Sequence, residues 1–139
     1  MIIMRKKYFF GIGIVLLSLA AWGIYRIYQP HRNVSGDEAV ALLTAPDLYR
    51  DFQHDETAAN KKWVGKVIEV SGIITSVNES VNYVSINLKA AADGGINCSV
   101  LKNDLGSADK FKVGDSITIK GKCTGFLMDV NLVDCVVRK

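Results

Sequence analysis

Histidine is nearly absent from this chain of 139 residues, which has only His31 and His54. A serine or cysteine nucleophile needs a base beside it, and no spacing brings one to His54, so it reads as a solvated loop side chain. No Cys-x-x-Cys pair and no paired-histidine spacing occurs, which excludes the usual zinc frameworks. A phosphate-cradling glycine loop is missing too. The adjacent carboxylates Asp55 and Glu56 sit where a helix would start and complement its positive end. These absences leave no catalytic, cofactor-binding or metal-binding residue, so neither an enzyme nor a cofactor is expected.

Cysteine is scarce as well: Cys98, Cys123 and Cys135 are the three, and with none before Cys98 a lipid-modified N-terminal cysteine is excluded. Charge is balanced but unevenly placed. Arg5, Lys6, Lys7 and Arg26 flank the first apolar run; without them, 13 of the 17 basic residues face 14 acidic ones, so the rest of the chain carries about −1. A nucleic-acid-binding domain is ordinarily more basic than that.

What is present is one long hydrophobic run. Tyr8 to Tyr28 holds 21 residues with a single charge, Arg26. About 20 helical residues cross a hydrocarbon core of roughly 30 Å, and a helix satisfies its own backbone there. Tyr8, Trp22, Tyr25 and Tyr28 lie towards the ends, where aromatic rings favour the headgroup level. Arg5, Lys6 and Lys7 before the run outweigh Arg26 and Arg32 after it, so the positive-inside rule predicts a single pass through the cytoplasmic (inner) membrane, with the C-terminal part facing the periplasm or cell exterior. The alternative is a cleaved signal peptide with small residues at Ser18 and Ala20, although the apolar run continues past that site. Either reading exports the remainder.

Gln29 to Gly36 is polar and reads as a linker. Ser35 ahead of Asp37-Glu38 predicts a short helix from Gly36 to Leu43, stopped by Pro46. A second helix starts at Asp55 and ends at Gly65. Beyond it the period shortens to two. Strands are predicted over Lys66–Val77, bent at Gly72, and over Val81–Leu88, Ile96–Leu101, Ser116–Cys123 and Val130–Val137. Leu105, Ala108 and Phe111 mark a short helix between the third and fourth strands. This is the order of a mainly β, five-stranded OB-fold barrel, which also removes exposed edges. The expected organisation is a cytoplasmic N-terminus (1–7), a transmembrane helix (8–28), a linker (29–36), a helical segment packed on the barrel (37–64) and the barrel itself (65–139).

Two stretches carry a likeness. Glu56, Ala59, Trp63, Gly65 and Lys66 form a Glu-x-x-Ala run before aromatic-x-Gly-Lys, and Gly121 to Gly125 reads Gly-Lys-Cys-x-Gly. The chain from about Ala45 to Val137 resembles the tRNA_anti-like family of exported bacterial OB-fold proteins, with Trp63 where relatives usually have Tyr. The resemblance implies an OB fold, and it implies export as a lipoprotein or behind a single anchor. It names no ligand, since fold does not fix function.

In an oxidising compartment the cysteines suggest a disulfide. Cys123 and Cys135 lie symmetrically about Asp129 and are the preferred pair; Cys98–Cys135 competes, because the third strand borders the fifth. A bulge near Asp134 would favour the competitor by turning Cys135 to the other face.

Strands two and three offer only Tyr83 and Lys89 where single-strand binders place aromatic platforms in a basic groove. Phe126, Leu127 and Met128 are consecutive apolar residues in an expected loop, Thr124 to Asp129. These five are the candidate binding surface. The function expected is a membrane-anchored, non-catalytic binding or interaction module holding a protein, peptide or glycan at the envelope. The alternative is a single-stranded nucleic-acid binder of the usual OB type.

Overall fold

The alternation in the second half of the chain becomes five long strands that close on themselves. A computed structural model describes residues 2–27, 34–105 and 110–138, with side chains of the first segment described for residues 11–26. The chain divides into two units, residues 1–31 and 32–139.

In the first unit the described residues form one helix, α1 (Ile2–Ile27). Among the described residues no helix is long and apolar enough to cross a membrane; the stretch with described side chains is itself shorter than the roughly 20 residues a span needs. Within it Arg26 lies over the Trp22 ring, 5.3 Å from its centroid. Tyr28, His31 and most of the expected linker fall outside the described residues.

The second unit contains β1 (Leu42–Thr44), α2 (Ala45–His54), α3 (Glu56–Trp63), β2 (Val67–Glu79), β3 (Tyr83–Lys89), β4 (Gly95–Leu101), α4 (Lys102–Leu105), β5 (Ser116–Phe126) and β6 (Val130–Arg138). β2 runs antiparallel to both β3 and β5, β3 antiparallel to β4, β4 parallel to β6, and β6 antiparallel to β5. That circuit is a closed five-stranded barrel. β1, unforeseen in the sequence, adds a short parallel strand on β2 with Leu42 opposite Glu69.

The barrel interior is built in rows. Ile74, Leu88, Ile96 and Val130 are Cα partners strand to strand, as are Val77, Ile86, Cys98 and Leu132. All but the half-buried Val77 are buried, and each fully buried Leu or Ile contributes about 1.5–3 kcal/mol relative to exposure. Leu48, Tyr49 and Phe52 on one face of α2 add to the same core.

Several expectations are corrected here. No helix forms over Gly36–Leu43; the chain turns at Val34–Asp37 and enters β1. Pro46 does not stop a helix but sits in the first turn of α2, where its missing N–H costs nothing, and Thr44 caps that turn by accepting from the Asp47 N–H at 3.3 Å. The end of the expected linker belongs to the domain: Val34 is buried and its N–H donates to the Asp134 carbonyl at 3.2 Å. α3 follows its expected limits, with Asp55 accepting from the Ala58 N–H at 3.0 Å.

Phe126 is corrected too. It closes β5 instead of lying in a loop, half-buried, stacked on Phe52 at 5.7 Å and edge-on to Tyr49 at 5.6 Å. The extra strand length comes from an irregular register between Cys123 and Gly125, where Gly125 has φ +137°.

The cysteines are free thiols, all buried. Cys123 lies opposite Leu132, not Cys135: the hairpin is centred on Met128 and not on Asp129, with Phe126 opposite Val130, and a register shift between Cys123 and Gly125 moves the pairing one residue further. Asp134, at φ 53°, bulges β6 and brings Cys135 level with Val100 of β4. Cys135 thereby turns inward and is buried in the core with Cys98. Gly121 of β5 passes directly over it: a Cβ there would stand 2.5 Å from the Cys135 Sγ. Glycine in the Gly-Lys-Cys-x-Gly motif is thus a packing requirement.

Candidate functional site

A strand with one buried face shows its alternate side chains to solvent. On β2, β3, β4 and β6 many of those alternates are amides and hydroxyls, with Ile73, Leu101 and Val133 as apolar exceptions. Ser76, Asn87, Asn97 and Asn131 are successive Cα partners, forming a row across four adjacent strands. A second row pairs Asn78 with Ser85 and Ser85 with Ser99.

The rows are laced together. Asn87 Nδ2 donates to Ser76 Oγ at 2.8 Å, Ser85 Oγ donates to Asn97 Oδ1 at 3.0 Å, and Asn131 Nδ2 donates to the Asp129 carbonyl at 3.2 Å. A side-chain amide carries two N–H donors and a two-lone-pair acceptor, so each keeps capacity to spare. Asn97 Nδ2, Asn87 Oδ1 and Asn131 Oδ1 have no hydrogen-bond partner among the described residues.

Asp134 lies in the β6 bulge, between the residues that face Cys98 and Val100, and further charges stand at the margins of this face. At one end Lys102 pairs with Glu79 at 2.6 Å, beside Tyr83, which is 47 % exposed. At the other end a cavity of about 310 Å³ is lined by Thr75, Ser76, Asn87, Lys89, Gly95 and Asp129, among others. Asp129 shapes it by accepting the Gly95 N–H at 2.7 Å.

Of the surface candidates read from the sequence, Tyr83 and Lys89 occupy this face at opposite ends of β3, about 20 Å apart by strand rise. Leu127 and Met128 lie in the β5–β6 turn, 86 % and 78 % exposed, and Phe126 is packed away. Sequence reasoning missed Ser76, Asn78, Ser85, Asn87, Asn97, Ser99 and Asn131. Their signal was the polar half of the alternation whose apolar half defined the strands.

Two other concave regions differ in character. Between α2 and α3, Asp51 accepts from Trp63 Nε1 at 2.9 Å and from Lys62 Nζ at 3.1 Å. Burial pushes that carboxyl up, but the Trp63 and Lys62 hydrogen bonds, with the Lys62 and Arg50 charges, outweigh it and hold the acid below its ordinary range. This is a structural anchor for Trp63, and His54 lies exposed nearby. The second region, about 480 Å³, lies where Val34–Asp37 meets the barrel and includes Lys120 and Arg138.

Cys98 and Cys123 are poor nucleophiles. The hydrogen bond to Cys135, then burial, then the Cys135 charge push Cys98 well above the ordinary thiol value; burial raises Cys123, partly offset by a backbone hydrogen bond from Gly125. Among the described residues no group of three or more His, Cys, Asp or Glu side chains is placed to hold a metal ion.

Comparison with known proteins fits this architecture. The family model tRNA_anti-like matches residues 1–137. The chain matches none of the curated proteins. Among solved structures, a lipoprotein from Klebsiella pneumoniae subsp. pneumoniae MGH 78578, whose description proposes nucleic-acid binding, superposes with a TM-score of 0.59 at 15 % identity, covering 70 % of this chain and 91 % of that one. Its likeness establishes the shared OB-type barrel. Asparaginyl-tRNA synthetase from Pyrococcus horikoshii, in complex with asparaginyl-adenylate, matches with a TM-score of 0.43 at 16 % identity, over 56 % of this chain and 19 % of the enzyme. The Entamoeba histolytica enzyme gives 0.41 and 13 %, over 52 % of this chain and 20 % of its own length.

Proposed function

The chain belongs to the tRNA_anti-like family, and from that premise we propose that it is a non-catalytic binding domain, tethered outside the cytoplasm by its N-terminal helix, which takes its ligand on the outward face of β2, β3, β4 and β6. The observation that carries this reading is the in-register row Ser76–Asn87–Asn97–Asn131 with its spare hydrogen-bonding capacity and adjoining cavity. No packing requirement explains such a row, since its side chains face away from the core.

The tether is supported by the apolar run Tyr8–Tyr28 and by the bias of Arg5, Lys6 and Lys7 ahead of it. Retention in the membrane fraction after alkaline carbonate washing, together with a C-terminal reporter active only outside the cytoplasm, is the expected result. A soluble, cytoplasmic protein would refute the tether.

A second reading, oligonucleotide binding, is favoured by the description of the Klebsiella protein. Its chemistry fits less well, because phosphate contacts require a cationic groove and base stacking requires several aromatics. A titration with single-stranded DNA at low and high salt decides: binding that collapses steeply with salt supports the second reading, and no binding at low salt removes it.

A further inference from the structure

We propose that the β5–β6 hairpin docks the barrel on an anionic lipid surface, with Leu127 and Met128 sunk among the acyl chains and Lys61, Lys66 and Lys122 meeting the phosphates. The proposal rests on the tether proposed above.

The tip has an unusual composition for a turn in water. Hairpin turns ordinarily use Gly, Asn, Asp or Ser, which supply conformational freedom or local hydrogen bonds. Here Leu127 and Met128 stand side by side, 86 % and 78 % exposed. Phe126 beside them is drawn down onto Phe52 and Tyr49, and the Leu127 N–H donates to the Asp129 carbonyl at 3.2 Å. The base of the tip is therefore fixed, and two large apolar side chains are held outside the core.

One flank of this hairpin is basic. The Gly65 N–H donates to the Cys123 carbonyl at 2.8 Å and the Cys123 N–H to the Lys66 carbonyl at 2.9 Å, tying the chain that leaves α3 to the hairpin base. Lys122 is the Cα partner of Val67 on the same side. Lys61, Lys66 and Lys122 are exposed, and none has an acidic partner among the described residues, whereas Lys62 is held by Asp51. The acids near the tip lie on the other flank: Asp129 accepts the Gly95 N–H of β4, and Asp93 lies in the β3–β4 turn. Unpaired lysines beside an apolar tip match a surface that is anionic outside and apolar within. Val81 in the β2–β3 turn is equally exposed, but the nearby Glu79 and Lys102 neutralise each other, so it has no such collar.

The dimensions agree with an interface. Leu127 lies four residues beyond Cys123, about 13 Å by strand rise. Interfacial apolar groups sink about 5–10 Å, a depth at which long lysine stems bring their ammonium groups to the headgroups. Only residues 28–33 join α1 to Val34, a reach of at most about 25 Å however they are arranged, so a barrel on that anchor works close to lipid.

The test places the full-length protein in lipid nanodiscs and reads its methionine methyl groups by NMR. Met1, Met4 and Met128 are the three methionines, and only Met128 belongs to the second unit. Met128→Leu assigns its signal. With a spin label on the acyl chains, the Met128 methyl is expected to relax about threefold faster in discs containing phosphatidylglycerol than in phosphatidylcholine discs. High salt, or the combined Lys61→Gln, Lys66→Gln and Lys122→Gln variant, should return it to the phosphatidylcholine value. An unbroadened Met128 in discs that retain the protein would overturn the docking and leave the tether standing. Broadening indifferent to lipid charge and to the lysines would overturn the anionic surface. A Met128 shift that follows the number of copies per disc, without broadening by the label, would assign the tip to a second copy instead. Elution of the protein apart from the discs would overturn both the docking and the tether.

Discussion

Lys120 Nζ donates to the backbone carbonyl of Asp37 at 2.8 Å, joining β5 to a segment 83 residues earlier in the chain. A second bond from the same ammonium reaches the Ser35 carbonyl at 3.0 Å. Lys120 is only 4 % exposed, and a buried ammonium is tolerated only with such partners.

Replacing it with methionine keeps the aliphatic volume and removes both charge-assisted bonds. Lys120→Met is expected to destabilise the domain by about 2 kcal/mol or more, read from urea unfolding. Hydrogen exchange of the Val34 amide, which is bonded to Asp134, should rise in the same variant. An unchanged midpoint would show that the turn is held elsewhere.

Gly121→Ala should cost about 1–3 kcal/mol, because the new methyl has to displace the Cys135 Sγ. Adding Cys135→Ala frees that space. The double variant is expected to lose less than the sum of the single losses, and a strictly additive cycle would mean that the strain lies at Leu132 or Val133.

All three thiols should resist alkylation in the native protein at mildly alkaline pH and react fully in denaturant, as mass spectrometry would read. The raised values of Cys98 and Cys123 have a signed consequence. A thiol protonated in the fold and free to ionise in the unfolded chain contributes stability that is complete below about pH 9 and lost as the pH climbs through and beyond that value. Unfolding midpoints should therefore fall at high pH, and less steeply in a Cys98→Ala variant. No Cys123–Cys135 linked peptide is expected, since Leu132 occupies the position opposite Cys123.

Asp51→Ala should loosen α2 from α3 and cost about 1–2 kcal/mol, mostly through the lost Trp63 bond. The ionic share is a few tenths of a kcal/mol, because the Lys62 partner is exposed to screening. With its acid held low in the fold, Asp51 contributes fully above the ordinary carboxylate range and loses that contribution as the pH falls through its lowered value, below about pH 4. Tryptophan fluorescence during acid titration tests this, with Asp51→Asn as the control whose extra acid sensitivity should vanish.

Much of the barrel was legible because burial on one face writes a period of two into β2 to β6. The same logic failed where the chain departs from a straight strand. Phe126 lies beyond the irregular register at Gly125, and the fate of Cys135 turns on the positive φ of Asp134, a choice that sequence spacing left open between two partners. Pro46 was ambiguous because the residue that ends one helix also opens another, and only the Thr44 cap distinguishes the two. Lys120 was unreadable for a different reason: its partners are backbone carbonyls of a distant segment and carry no side-chain signature. The polar row was visible residue by residue, yet its alignment depends on four strands sharing a register that no single strand encodes.

The strand order has a bearing on how the protein comes into being. β6, the final strand in chain order, sits between β4 and β5. Until it arrives, a nascent chain holding β2 to β5 has two bare edges, each able to recruit another copy. Closure also waits on the β2–β5 and β4–β6 contacts, both distant in sequence, which slows folding relative to hairpins formed between neighbours. A chain halted before Val130 is therefore an aggregation hazard and not a smaller working domain, and quality control during biogenesis has its natural checkpoint at the insertion of that strand.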